Sequence, residues 1–270
     1  MLELYHHGSS VCAAKVRFAL AEKGVVPDKL HYIDILKGEQ FDASYTAINP
    51  KAVVPAMVHD GSIINESTVI CEYVNEAFSG PDLAPTGPLA RAQMRIWQKA
   101  VDEQLHPACG ELTFVCCHRH ILMRMGEEKL QEFLSSTPDQ SVTSTWKERK
   151  KEIVRHGFDA PGIDATIRMY DGYLLKMDEA LQQKRWLAGD TFSLADIALT
   201  PYVNRLDMLS MSGMWEDGRF AHVEAWFDRI KAMDTFAPAF LDWCPEQLTD
   251  DLKTFGAQSW PDVKRIIGME

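Results

Sequence analysis

No stretch of this 270-residue chain approaches the run of about 18 apolar residues needed to cross a bilayer. The amino terminus, Met1-Leu-Glu-Leu-Tyr5, lacks the basic region and apolar run of a secretory signal, so a cytoplasmic chain is expected. Positive charge is in deficit. With 28 Lys and Arg against 39 Asp and Glu the net charge is −11, a field that repels phosphate backbones and anionic lipid. Neither nucleic acid nor a membrane is an expected partner. Cysteine is sparse: six residues, at 12, 71, 109, 116, 117 and 244, include an adjacent pair but no even spacing, and read as reduced thiols. Only 16 Gly and 13 Pro are present, too few for a low-complexity chain, and no repeat of 20 to 50 residues is visible. What remains is ordinary globular composition, 46% hydrophobic and 25% charged, enough for one large domain or two of usual size.

The first 78 residues alternate between strand and helix signals. Leu2 to His7 is a short apolar and aromatic run broken by Gly8-Ser9-Ser10, after which Val16, Phe18, Ala19 and Leu20 form a helical stripe ending at Gly24. Leu30 to Ile35 predicts a second strand and Val53 to Val58 a third, starting around Pro55. Asp60-Gly61 signals a type I′ hairpin into a fourth strand at Ser62–Ile64, and Glu66-Ser67 opens a helix carrying Val69, Ile70, Tyr73 and Val74. The order is β-α-β-loop-β-β-α. Ser79 to Pro88 is rich in breakers and reads as a linker, and the rest reads as helical: Leu89 to about Met125, Ser141 to Arg155, Ile163 to Gln183, and Val223 to Met233. Ser193-Leu-Ala-Asp196 is a capping pair ahead of a buried helix. The expected division is residues 1–80, a linker at 81–88, and a helical domain at 89–270.

Several residues could carry chemistry, and each has a structural alternative. Ser10 could be a helix cap, Pro55 a strand starter and Glu66-Ser67 another cap. Cys12 is not part of a Cys-x-x-Cys pair, because Ser9 and Lys15 occupy the positions three residues away, which disfavours a dithiol oxidoreductase. Cys116 and His120 stand at i, i+4, but a second ligand pair is missing, so no metal is expected. The Lys147–Glu152 charge run reads as a solvated helix face.

An α/β module of this order followed by a helical domain resembles the cytosolic glutathione transferases. Leu4-Tyr-His-His-Gly-Ser-Ser10-Val-Cys12-Ala-Ala-Lys-Val-Arg17 is similar to the strand-loop-helix of the serine-type theta and zeta classes. The resemblance implies a thioredoxin-like first domain, glutathione as co-substrate, and Ser10 as the catalytic serine, with Ser9 as the fallback hydroxyl and Cys12 in support. It also implies a cis-proline at Val54-Pro55 that offers backbone to the tripeptide, and Glu66-Ser67 as the holder of its γ-glutamyl end. Gln40 and Lys51 are implied near the glycine end. The chemistry is coherent: a free thiol has a pKa of about 8.5, and a hydroxyl donating to sulfur at a helix start favours the thiolate. A carboxylate beside a hydroxyl and free N–H groups suits a ligand carrying both charges.

By the same resemblance the electrophile lies between the opening loop and the helices. Acceptor contacts are then expected from His7, from the i, i+4 stripe Trp97, Val101, Leu105 and Cys109 with Phe114, and from Tyr202, Arg205 and Met208. These also fit an interhelical core. A narrower resemblance, carried by Asn65–Tyr73, Arg91–Glu103, Trp146-Lys-Glu-Arg149 and His156-Gly-Phe158, is to bacterial glutathione-dependent β-etherases of lignin catabolism. The opening loop stays closer to the theta and zeta forms. Three readings follow: a transferase acting on an aromatic or hydrophobic electrophile such as a β-aryl ether, a zeta-like cis-trans isomerase, and a non-catalytic ligand-binding protein. A homodimer is implied by the family.

Overall fold

A computed structural model describes residues 1–35, 37–136 and 144–269. Its first part is a four-stranded sheet made of β1 (Leu2–His6), β2 (Lys29–Tyr32), β3 (Ala56–His59) and β4 (Ser62–Asn65) in the order β2-β1-β3-β4. β1 runs parallel to β2, which requires the crossover helix α1 (Val11–Glu22), and antiparallel to β3. The β3–β4 turn has Asp60 at φ 49° and Gly61 at φ 81°, the double positive φ that the Asp-Gly pair favours. The loop before β3 contains a short helix, α2 (Ala43–Thr46), and the unit closes with α3 (Ser67–Ala77). Leu4, Val16, Phe18, Met57, Ile70 and Val74 are buried between sheet and helices. Each contributes roughly 1.5–3 kcal/mol by leaving water.

β3 begins later than expected because the chain before it has other commitments. The Val53 carbonyl accepts from Tyr45 Oη and Asn49 Nδ2, both at 2.7 Å, and Pro55 has no N–H to offer a neighbour. β2 ends earlier than expected, at Tyr32, with one further ladder-like bond from Ile33 N to the His6 carbonyl.

The remainder is helical. A long rod comprises α4 (Pro88–Ala100), α5 (His106–Thr113) and α6 (Arg119–Arg124), joined by π-type turns at Val101–Leu105 and Phe114–His118. The first π turn precedes Pro107, whose ring cannot follow a regular α-turn without colliding with the carbonyl four residues back. Next come α7 (Glu127–Ser136), α8 (Ser144–His156), α9 (Ile163–Leu181), α10 (Leu194–Met208), α11 (Ala221–Lys231) and α12 (Glu246–Ile266). Part of the helix expected from Ser141, residues 141–143, lies outside the described residues.

α10 is the axis of this half. Ser193 caps it, and the buried Asp196 carboxylate accepts from the backbone N–H groups of Ser193 and Leu187 and from Trp226 Nε1 at 2.9–3.0 Å. That single side chain ties the turn before α10 to α11. Leu194 N donates to the Leu83 carbonyl at 2.8 Å, so the segment between the two halves is pinned to the same helix start. α12 crosses α10's end at Gly256, where a Cβ would fall 2.0 Å from the Leu209 carbonyl oxygen.

Candidate active site

The loop between β1 and α1 sits where the two halves meet. Gly8 is required there by contact: a Cβ at that position would lie 1.9 Å from the Trp243 carbonyl oxygen. Arg17, buried, holds the loop from below by donating to the carbonyls of His7 and Gly8 at 3.2 Å and of Ala239 at 2.9 Å. On the other side α10 supplies Arg205, whose Nη2 donates to the Ser9 carbonyl at 2.5 Å. A narrow cleft opens between them, lined by Ser9, Ser10 and Val11 on one wall and by Asn204, Arg205 and Met208 on the other.

Three loop side chains differ in what their polar atoms already do. His7 is buried and its pKa falls to about 4, first through burial and then through the Arg17 and Arg205 charges. The ring is therefore neutral, and its Nδ1, which accepts from Ser9 N at 3.3 Å, is free of a proton and also takes the Ser9 hydroxyl at 3.0 Å. Ser9 thus spends its hydroxyl proton on His7. Ser10 caps α1: its Oγ accepts from Ala13 N at 3.2 Å, which leaves the hydroxyl proton available. The structural alternative for Ser10 is realised without removing its capacity to donate.

Cys12, in the first turn of α1, is half-buried and faces the rod and α10. Its Sγ is 3.4 Å from His106 Nδ1 and 3.9 Å from Tyr202 Oη, and Tyr202 Oη is itself 3.4 Å from His106 Nδ1. Burial opposes ionisation of this thiol, but the His106 charge and hydrogen bond outweigh it, and with Lys15 and the Ser67 hydroxyl they bring it down to about 6. The reciprocal charge of Cys12 raises His106. Beneath this group the buried Lys15 ammonium contacts Thr68 Oγ1 at 2.9 Å and Asp102 Oδ1 at 3.3 Å.

The region expected to grip a tripeptide is written in backbone conformation. Val54-Pro55 is cis, and Glu66, just before α3, holds φ 70°, a left-handed value costly for a residue with a Cβ. Ser67 opens α3 beside Cys12. The Glu66 carboxylate is paired with Lys51 Nζ at 2.5 Å on the exposed rim. Gln40 lies apart from this pair, donating to the Ile35 carbonyl at 3.4 Å, with its buried Oε1 lacking a partner among the described residues.

Most of the expected acceptor stripe lies in the interhelical core. Val101, Leu105 and Cys109 are each at most 2% exposed and belong to the core, as does Tyr202 at 1%, of which the hydroxyl alone reaches His106 and Cys12; Trp97 packs against that core, and Phe114 meets Trp146 edge-on within it. The i, i+4 reading assumed an unbroken α-helix. The π turn instead brings Asp102 and His106 round to face the α/β half, two residues the sequence reading missed. The signal was the His106-Pro107 step, which marks a disturbed turn. Among the described residues no group of three His, Cys, Asp or Glu side chains is placed to hold a metal; Cys116 is in the core and His120 stacks on Phe255.

A family model described as the glutathione S-transferase N-terminal domain matches residues 9–77, and one for its C-terminal domain matches residues 160–229. Protein LigF of Sphingobium sp. strain NBRC 103272 / SYK-6 is 31% identical over 247 residues, spanning 88% of this chain and 93% of LigF. The chain belongs to the glutathione S-transferase family. The crystal structure of the β-etherase LigF superimposes with a TM-score of 0.76 at 30% identity, over 88% of this chain and 98% of LigF. A tetrachloro-p-hydroquinone reductive dehalogenase of Sphingobium chlorophenolicum is 28% identical over 88% of this chain and 95% of its own length. Glutathione S-transferase Z1 of Arabidopsis thaliana is 42% identical over 84 residues, 31% of this chain and 38% of its own. The thioredoxin-like first half and the helical second half are those of this transferase fold, with glutathione as the family's co-substrate.

Proposed function

We propose that this glutathione transferase cleaves β-aryl ethers, with Ser10 donating its hydroxyl proton to the glutathione sulfur and so holding it as thiolate. The observation that carries this reading is the cleft itself. A hydroxyl with its proton free stands at the start of α1, opposite a buried guanidinium whose Nε has no hydrogen-bond partner among the described residues. The tripeptide lies along Val54-Pro55, with its ammonium near Glu66, its γ-glutamyl carboxylate at Ser67 and the start of α3, and its glycine end toward Lys51 and Gln40. The thiolate attacks the ether-bearing carbon beside a ketone. A C–S bond forms as the C–O bond breaks, and a phenolate leaves toward Arg205 and Tyr202, donors whose interaction strengthens as charge develops. Likeness to LigF, described as a β-etherase, supports an ether as acceptor.

The test is thiol consumption with a β-aryl ether ketone, products identified by mass. Ser10→Ala is expected to lower kcat/KM about a hundredfold; full turnover in that variant contradicts the reading. The likeness of an 84-residue stretch to Glutathione S-transferase Z1 favours a second reading, an isomerase that adds and then eliminates glutathione. There a maleyl substrate would isomerise with no net loss of thiol. The protein acts as a homodimer, a reading supported by exposed Ile63, Val69, Leu89 and Ile96 on β4, α3 and α4. Sedimentation equilibrium at twice the chain mass is the expected result, and a monomer would refute it.

A further inference from the structure

We infer that Arg205 and His118 form an anion-recognising floor in the acceptor site, and that the electrophile this chain selects carries a carboxylate on its aromatic ring. The inference rests on the transferase reading above and deepens it by naming a group the acceptor must bear.

Two arginines among the described residues are buried, each 5% exposed, and they are matched differently. Arg17 spends its guanidinium on the backbone carbonyls of His7, Gly8 and Ala239. Arg205 makes a single hydrogen bond, from Nη2 to the Ser9 carbonyl; its Nε is sealed from water and bonds to no described residue, and no carboxylate among the described residues pairs with it. The half-buried Arg149 and Arg219, by contrast, each hold a carboxylate, Glu111 and Asp171. A guanidinium without a counter-ion is costly to bury, and a ligand anion of matching geometry offsets that cost.

The surroundings of Arg205 supply no negative charge. Its field acts on His7 from the opening loop, Cys109 on α5, Cys117 and His118 in the second π turn, and Tyr170 on α9. Burial keeps the two thiols and the phenol protonated, with Cys117 raised to about 12, and keeps both imidazoles neutral, with His7 and His118 brought down to about 4. His118 is the second orphan, because its Nε2 is sealed from water and has no partner among the described residues. Lys150 on α8 adds another positive charge toward it. The chain as a whole carries −11, so a positive interior at this place runs against the global field.

The same place is aromatic. His118 meets Phe114 edge-on with centroids 6.1 Å apart, and Phe114 meets Trp146 of α8 at 5.8 Å. Arg205 also lines the cleft that begins at Ser10. An aryl carboxylate answers both features, its ring meeting aromatic edges and its oxygens accepting from the guanidinium and from His118 Nε2, which a neutral imidazole can offer as a donor. A neutral ring of the same shape leaves both orphans unpaired.

The experiment uses full-length protein saturated with glutathione. Isothermal titration calorimetry compares 4-hydroxybenzoate with 4-hydroxybenzamide, and turnover is measured in parallel with a β-aryl ether ketone whose departing ring carries a carboxylate and with the corresponding carboxamide. The benzoate should bind about tenfold tighter, and the acid ether should show a kcat/KM about tenfold above that of the amide. Arg205→Met should bring both ratios close to one, and His118→Phe should lower them about threefold. Lys184→Met, which removes a cation that contacts Gln93 instead, should leave both ratios unchanged. A merely structural role for Arg205 or His118 would weaken acid and amide alike and keep the ratios intact. Equal affinity for benzoate and benzamide in the wild type overturns the inference, as does a preference that survives Arg205→Met. Selective benzoate binding with neither ether cleaved overturns the ether reading and leaves the anion floor standing. Cleavage of both ethers at equal rates overturns this inference alone, and absence of both binding and cleavage overturns the two together.

Discussion

The two halves that meet at the candidate site are built by different means. The α/β wall uses the main chain: a cis X-Pro step, a left-handed Glu66 and the starts of α1 and α3. The helical side uses side chains projecting from α5 and α10, namely His106, Tyr202 and Arg205, held in place by part-buried polar contacts. A wall of backbone suits a ligand that never changes, because its hydrogen-bonding pattern is independent of most substitutions. A wall of side chains can be altered residue by residue, which is where a family that keeps one co-substrate varies the other.

That contrast can be broken or sharpened by substitution. The largest effect is expected at Asp196, whose carboxylate accepts four buried hydrogen bonds, from Leu187 N, Ser193 N and Oγ, and Trp226 Nε1. Asp196→Asn should lower unfolding free energy by about 3 kcal/mol, read as a lower urea midpoint, since an amide nitrogen must then face a donor. Next is Ser10→Ala, whose hundredfold fall in kcat/KM corresponds to about 2.7 kcal/mol of transition-state stabilisation. Its stability cost should be only about 1 kcal/mol, that of a lost cap. Arg205→Met should reduce kcat for an aryl ether about tenfold while leaving the KM for glutathione unchanged, and an altered glutathione KM would show that the walls are not separate. The smallest effect belongs to Glu66→Gly. Relief of the positive φ should stabilise the fold by up to about 1 kcal/mol, while glutathione KM rises as the ammonium loses its carboxylate.

The α/β half was legible because its elements are short and punctuated: Asp60-Gly61 specified a hairpin, Gly24 ended α1, and the breaker-rich segment after Phe78 separated the halves. The helical half was legible only as helix. The stripe Val101, Leu105, Cys109 has the spacing of a helix face, but which face meets the cleft depends on two π turns that the stripe's periodicity does not record. α12 was covered only by the general helical reading of residues 89–270, and the close approach of the Leu209 carbonyl at Gly256 is a tertiary fact that no local pattern records. His106 was missed for the same reason that it matters. It lies at a disturbed turn and finds Cys12, 94 positions earlier, only through the tertiary fold.

The central claim is that the Ser10 hydroxyl lowers the pKa of bound glutathione. Ultraviolet titration of the thiolate in a Cys12→Ser background, which removes the protein's own accessible low-pKa thiol, tests it directly. The bound thiol should titrate about two units below its free value, and the additional Ser10→Ala change should return it most of the way. Identical titrations with and without the residue-10 hydroxyl would contradict the account.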